Sequence, residues 1–422
     1  MPLTYIFSLL AIGLVLLVAT LGSGWIARLP LSSALVYLIV GVLLGPYGIG
    51  LVQMRPEALM VQRLMEFVVI VSVFGCGLKM NRALKPSAWQ SPIRLLGLLM
   101  PFSIVAIALS THWLLGLNWG AAILLGAILA PTDPVLASEV QLAHVEDADE
   151  LRFGLTSEGG LNDSLAFPFV YFGLFALKDS QWENWFVTWA LVDFIWAIAA
   201  GIVMGIGVAK AVVWLDHRIQ RRQPADDLME DIVALSTILL TYSLTELVNG
   251  YGFLAVFIAG VVVQRNYYCD PNKRLAQLKF TEQMEKLLEV AAMIILGSLL
   301  LVDPILRYAP EGLLTAALLI LLIRPLGALL SLCGSGMPLP TRGLFGWFGI
   351  RGVGSLYYLT YALGKGLSGD TAERLSWITY IVVVTSIIVH GVSASPLMEW
   401  YEHDFKSDPP LETDPIARLE DR

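Results

Sequence analysis

The chain has 422 residues, 56% of them hydrophobic and 15% charged, with a net charge of −8. An ordinary soluble domain carries roughly 25% charged residues, so this composition cannot solvate the outside of a globule of this size and argues against a soluble enzyme. The acidic excess lies largely in connectors such as Glu146 to Glu150 and in the tail, so it does not mark a partner, and nothing points to nucleic acid.

Apolar runs near the roughly 20 residues that a helix needs to cross a bilayer recur along the chain, separated by polar, Gly and Pro connectors. They predict an all-α polytopic membrane protein of about thirteen spans. The spans cover approximately 3 to 21, 33 to 50, 63 to 78, 95 to 115, 119 to 139, 152 to 177, 185 to 209, 229 to 246, 250 to 264, 284 to 302, 312 to 333, 343 to 363 and 375 to 393. The first run is longer than a signal-peptide core, with no positive residue before it and no clear small-residue cleavage site, so residues 1 to 21 are expected to stay in the mature protein. The transmembrane domain is expected over 1–395 and a short cytoplasmic tail over 396–422. The polar stretches at about 210 to 230 and 265 to 283 are too short to fold with a core of their own. Cys76, Cys269 and Cys333 lie far apart without metal-ligand spacing, so each is read as a small core residue.

Basic residues resist translocation and collect on the cytoplasmic side. With the N-terminus outside, the cytoplasmic connectors and tail hold 19 of the 27 Lys and Arg residues, among them Lys79, Arg82, Arg152 and Lys273, against six outside. The remaining two, Arg324 and Arg351, lie inside spans.

An ionisable group at bilayer depth costs roughly 3 kcal/mol or more, so each one that persists is a functional candidate whose partner must be named. The fifth span reads Ala130-Pro131-Thr132-Asp133-Pro134. Pro134 donates no backbone hydrogen bond and Pro131 disfavours helix before it, which predicts an unwound segment. Such breaks expose carbonyls and half-helix ends that transporters use to coordinate ions. Asp133 would compensate a positive half-helix N-terminus, and Thr132 offers a hydroxyl and a carbonyl.

The sixth span carries Ser157-Glu158-Gly159-Gly160-Leu161-Asn162-Asp163-Ser164. Glu158 and Asn162 share one helical stripe, Gly159 and Asp163 the next. Gly159 leaves room for another backbone or a hydrated ion. Asp163 lies near mid-span with no basic residue near it in sequence, and desolvation disfavours its charged form, giving a carboxylate able to trade a proton for a cation. A second unpaired carboxylate so close would be expensive, so Glu158 is read as half of an ion pair. Arg324 is the preferred partner, with Arg351 the alternative. The Gly-rich stretch Gly346 to Gly354 could break the twelfth span as the prolines break the fifth, giving one interrupted helix in each half, as inverted repeats require.

At these residues the chain resembles the cation:proton antiporter superfamily, in the NhaP-type branch of electroneutral Na+/H+ antiporters. The matching pieces are Thr132-Asp133-Pro134, Asn162-Asp163, Arg324-Pro325 and Arg351-Gly352, and the resemblance covers essentially all the spans. It implies an inverted-repeat antiporter fold, with a core domain holding two broken crossing helices and a dimerisation domain. It further implies alternating access, a role in pH homeostasis, a multi-pass location in the cell (inner) membrane and a homodimer. By the same resemblance Asp163 binds cation and proton in competition, Thr132 contributes to the Na+ site, Asn162 marks one-for-one exchange, and Glu158 pairs with Arg324. Asp133 joins Asp163, Thr132 and Asn162 as an ion- and proton-binding candidate, Arg351 joins Glu158 and Arg324 as core-domain charge, and Ser157, Gly159 and Ser164 are ancillary candidates. No cofactor is implied beyond the transported cation and proton. The chain departs from the pattern at Gly159, where many relatives carry Ser, and in Phe74-Gly75-Cys76-Gly77-Leu78, where the third span often carries Glu. Sodium is the expected cation, with lithium following and K+/H+ exchange the alternative.

Three further features are weaker. Asp193 follows Trp182, Trp185 and Trp189, an expected interfacial belt. His390 could titrate near neutral pH but is read as structural. Glu282 and Glu285 are expected at a solvated helix end, with Glu289 facing a funnel. Two rival readings, an intramembrane aspartyl protease and a cation channel, fit less well. No Gly-x-Gly-Asp, His-Glu-x-x-His or Gly-x-Ser-x-Gly occurs, and broken helices suit alternating access better than a continuous pore.

Overall fold

The computed structural model describes residues 32–52, 58–142, 144–179, 181–220, 227–267 and 271–405, together with Ile6, Leu10, Gly13 and Leu17. The rest of the first predicted span, 3 to 21, lies outside the described residues, as do Cys269 and the tail beyond 405. Each later predicted span meets a helix. These are α1 (Ser33–Leu44), α2 (Leu59–Leu78), α3 (Gln90–Leu115), α4 (Trp119–Leu129), α5 (Glu150–Lys178), α6 (Phe186–Ile219), α7 (Asp227–Leu247), α8 (Gly252–Asn266), α9 (Pro271–Leu299), α10 (Val302–Ser331), α11 (Leu339–Trp347), α12 (Val353–Gly364) and α13 (Gly369–Asp404). Six of them, α2, α3, α5, α6, α10 and α13, are long and apolar enough to cross a membrane.

Helix ends follow local chemistry. Asn118 accepts the Ala121 N–H at 2.8 Å to start α4, and Asp149 accepts the Arg152 N–H at 2.8 Å to start α5. Gly116, at φ 67°, closes α3 in the left-handed conformation that glycine adopts without strain. In α10 the wide turn Leu318–Ile323 directly precedes Arg324-Pro325, where proline supplies no N–H; widening the helix there absorbs the missing bond.

Two helices outrun the spans read from hydropathy. α9 begins within the polar stretch before residue 284, and α13 continues through the point where the tail was expected to begin. Apolar composition reports only the lipid-facing length, whereas a helix satisfies its own backbone and can project into water. Cys76 is buried as expected, but Cys333 is exposed, because it falls in the turn after α10, where its carbonyl accepts Arg94 at 2.6 Å.

Helices α1, α2, α6, α7, α8 and α9 pack on one another, and α3, α4, α10, α11, α12 and α13 form a second group with the C-terminal half of α5. The groups meet where α2 touches α5 and α12, where α8 touches α5, and where α1 touches α13. Small residues permit the closest approaches, as between membrane helices generally: a Cβ on Gly77 of α2 would lie 3.0 Å from the Gly260 Cα of α8. The broken segments lie in the second group beside this seam.

Candidate ion-binding site

After Leu129 the fifth span unwinds through Pro131, Thr132 and Asp133 and resumes as a turn ending at Ser138–Val140. The twelfth span breaks between Trp347 and Val353. The two breaks touch where the Asp133 N–H donates to the Ile350 carbonyl at 2.8 Å. The Asp133 carboxylate accepts the N–H groups of Val135 at 2.8 Å and Leu136 at 3.3 Å through Oδ1, and that of Val353 through Oδ2. One acid therefore caps both the turn that follows the first break and the positive start of the half-helix Val353–Gly364 that follows the second, where the sequence suggested only one. Arg351 mirrors it. Its Nε donates to the carbonyl of Leu129, the last residue of α4, at 2.6 Å, its Nη1 donates to the Gly349 carbonyl, and its backbone N–H is held by Ser386 Oγ at 2.8 Å. A cation thus sits at the negative end of the incoming half-helix.

Glu158 and Arg324, each 2% exposed, form a two-pronged pair: Nη1 donates to Oε1, and Nη2 donates to Oε2 at 2.8 Å. Planar forks of this kind satisfy both charges at once, which a buried pair requires. Arg351 makes no contact with Glu158 within ion-pair distance, so the two arginines divide the work.

Asp163 lies one and a half turns further along α5, 0% exposed, and neither carboxylate oxygen has a hydrogen-bond partner among the described residues. Asn162 donates from Nδ2 to Thr132 Oγ1 at 2.7 Å, tying α5 to the broken fifth span, while its own Oδ1 is unpaired. The hydroxyls of Ser164 and Ser355 are also buried and unpaired. Such oxygens are costly in a native interior unless a ligand meets them.

Glycines make the cluster sterically possible. A Cβ on Gly349 would stand 2.6 Å from both Arg324 Nε and Arg351 Nη1, one on Gly354 would stand 2.5 Å from Asp163 Oδ1, and one on Gly352 would strike the Asp133 carboxylate. The Gly-rich break is thus also a surface cleared for four ionised side chains. Sequence reasoning assigned these glycines only to helix breaking and missed Tyr358, whose hydroxyl donates to the Asp163 carbonyl; the Gly-x-x-Gly-x-Gly spacing was the available signal.

The ancillary candidates scatter. Gly159 faces Pro134, whose Cβ would lie 3.2 Å from an added Cβ, so the space serves the broken backbone. Ser157 turns away and contacts Met80 Sδ at 3.1 Å. His390 is 1% exposed, held between the carbonyls of Ser386 and Trp347 at 2.8 and 2.9 Å. Asp193 is half-buried, and its carbonyl accepts the Tyr251 hydroxyl. Glu282 keeps its place at a solvated end, paired with Lys79 at 3.3 Å, but Glu285 does not. Its Oε1 lies 2.5 Å from where a Gly75 Cβ would stand, because the missing side chain on α2 opens a notch that the α9 carboxylate fills.

A family model described as sodium/hydrogen exchanger, transmembrane, matches residues 13–400. The K(+)/H(+) antiporter NhaP of Alkalimonas amylolytica is 27% identical over 98% of this chain and 70% of its own length. The K(+)/H(+) antiporter NhaP2 of Shewanella oneidensis is 26% identical over 89% of this chain, which spans only 64% of that relative. The solved structure of the sodium proton antiporter MjNhaP1 from Methanocaldococcus jannaschii superposes with a TM-score of 0.73 at 22% identity, covering 93% of this chain and 98% of that one, and shows a common fold. With the family model matched over nearly its whole length, this multi-pass membrane chain belongs to the sodium/hydrogen exchanger family.

Proposed function

We propose that the protein exchanges a monovalent alkali cation for a proton by alternating access, cation and proton competing for Asp163. The observation that carries this is the charge balance of the site. Asp133 is offset by backbone N–H groups at the start of a turn and of a half-helix, Arg351 by the carbonyls of Leu129 and Gly349, and Glu158 by Arg324, which leaves the buried Asp163 carboxylate without a partner among the described residues. A carrier that moves a charge through hydrocarbon faces a large barrier. One proton or one monovalent cation on Asp163 cancels the charge equally well, so either loaded form can cross and the empty form is held back. One-for-one electroneutral exchange follows from that arithmetic, and Asn162, being neutral, leaves it unaltered.

Asp163 with Asn162 Oδ1 and Thr132 supplies the oxygen ligands in this reading. Sodium, with lithium following, is the cation expected from the sequence, while the two curated relatives named above support K+ as the second reading. Everted membrane vesicles containing the protein should discharge a preformed pH gradient when Na+, Li+ or K+ is added, and the concentration dependence ranks the three. Asp163→Asn should remain silent with all of them, and an imposed voltage should leave the rate unchanged. Normal exchange by that variant, or a rate that follows the voltage, would overturn the proposal.

A further inference from the structure

The main chain of Asp163 is held from outside its own helix. Helix α5 is interrupted three residues after Asp163: one segment ends at Leu165, and the next, Phe167–Lys178, begins beyond Ala166. Pro168 has no N–H to give the Ser164 carbonyl, and the N–H groups of Phe169 and Val170 both donate to the Ala166 carbonyl at 3.0 Å. The turn that carries Asp163 is therefore the last before a discontinuity, and helical bonding fixes such a turn less firmly than one in mid-helix. Tyr358, 0% exposed on α12, supplies a bond there, its hydroxyl donating to the Asp163 carbonyl.

A second contact makes that bond more than the routine satisfaction of a buried hydroxyl. Gly354, one turn before Tyr358, passes the other end of the same residue: a Cβ there would stand 2.5 Å from Asp163 Oδ1. Residues four apart share a helical stripe, so one stripe of α12 meets Asp163 at both its carboxylate and its carbonyl. A phenol has a single proton to donate, and spending it on the main chain leaves both carboxylate oxygens open to a cation or a proton. The ring is fixed in turn. Phe167, the first residue beyond the interruption, meets Tyr358 edge-on with centroids 5.3 Å apart; it also stacks on Tyr251 of α8 at 5.3 Å and lies 5.5 Å from Phe253. Such pairs constrain orientation as well as burying area, so the donor reaches Asp163 from a support that extends across the seam to the other helix group.

We propose that Tyr358 is a positioning residue of the exchange: by holding the Asp163 main chain it sets how far the carboxylate projects toward Thr132 and Asn162, and hence which cation the site fits. This rests on the exchange reading above. The hydroxyl acts through Asp163 and is not itself a ligand, so its removal should change the affinity for the ion and the ranking among ions of different radius, while turnover of a loaded site persists.

Tyr358→Phe removes the hydroxyl and keeps the ring on Phe167. In vesicles the cation KM should rise about tenfold with maximal rate little changed, and the ratio of the KM values for Li+, Na+ and K+ should shift, which a general loss of stability would leave in place. In detergent, the gain in Tm that added Na+ or K+ gives the wild type should require about tenfold more cation in the variant, since ligand stabilisation follows concentration relative to Kd. Tyr361→Phe removes a hydroxyl from the same ring cluster, one bonded to Tyr171 instead of Asp163, and should move neither quantity. Phe167→Leu loosens the support of Tyr358 and should shift KM in the same direction; added to Tyr358→Phe it should produce no further rise, because both act through one bond. Wild-type KM values and ratios in Tyr358→Phe, an equal shift in Tyr361→Phe, a lower maximal rate at unchanged KM, or additive effects in the double variant would overturn the assignment. A wild-type protein that neither exchanges cations nor gains Tm from them would instead defeat the exchange reading, and that outcome is visible without any variant.

Discussion

Two carboxylates on α5, five residues apart and both sealed from solvent, have opposite surroundings. Glu158 meets the Arg324 guanidinium on both oxygens, whereas Asp163 has no hydrogen-bond partner on either among the described residues. Burial alone therefore separates neither structure from function in this helix. What separates them is satisfaction: the paired acid has no free valence to offer an ion, and the unpaired one can be made neutral only by something that arrives. Asp133 lies between these extremes, ionically unpaired but met by three backbone N–H groups. Its carboxylate ties the two broken segments together beside Asp163.

The contrast can be broken from either side, and the largest effect is expected at Asp163. Asp163→Asn should abolish exchange entirely while its Tm in detergent stays equal to wild type or rises, because no partner loses its mate and a buried charge is removed. A clear fall in Tm would show that the carboxylate carries structural weight after all.

Arg324→Leu should do the reverse. It strands the Glu158 charge in the interior, and breaking a buried pair from one side costs about 3–5 kcal/mol. The yield of folded protein and its Tm should drop sharply. Adding Glu158→Leu should return much of the lost stability, since removing both charges is often close to neutral. If the double variant is no more stable than the single, the pair is not the source of the loss.

A third perturbation tests the glycine platform. Gly354→Ala would place a methyl carbon 2.5 Å from Asp163 Oδ1, closer than real contacts allow, against a carboxylate fixed on its own helix. Exchange should fall by more than about tenfold, since small misplacements of reacting groups are that costly, with a smaller effect on Tm than Arg324→Leu. An unaltered KM would show that the α12 backbone does not shape the cation's position.

Much of this was legible in the sequence, for physical reasons that differ by element. Hydropathy located the membrane helices because lipid tolerates few charges, and the two prolines marked the fifth-span break because they remove backbone donors. The Glu158–Arg324 contact could be anticipated because an unpaired second acid would be too expensive. The rest depends on which chain segments meet. The double cap by Asp133 needs the twelfth-span break beside it, the inward seat of Glu285 needs the notch at Gly75, and Cys333 is exposed only because α10 ends before it. Helix lengths outside the bilayer also escaped, since hydropathy is silent there.

The smallest expected effect lies at Gly159, one turn before Asp163. Two opposing contributions meet in Gly159→Ala. Alanine is favoured over glycine within a helix by about 1 kcal/mol. Against this, the new Cβ would stand 3.2 Å from Pro134 Cβ and 3.4 Å from its Cα, a tight contact with a ring that has little freedom to yield. Crowding a packed interior typically costs about 1–3 kcal/mol, so the balance is near zero or slightly unfavourable, and Tm should move by only a few degrees. Function is more exposed than stability, because the residue that must give way is followed within the same break by the N–H groups that cap Asp133 and preceded by Thr132, which Asn162 holds at 2.7 Å. A shift of a few tenths of an ångström there should raise the cation KM several-fold while maximal exchange persists. If Gly159→Ala leaves KM untouched, the broken span tolerates movement beside α5, and the close approach of Pro134 is packing alone.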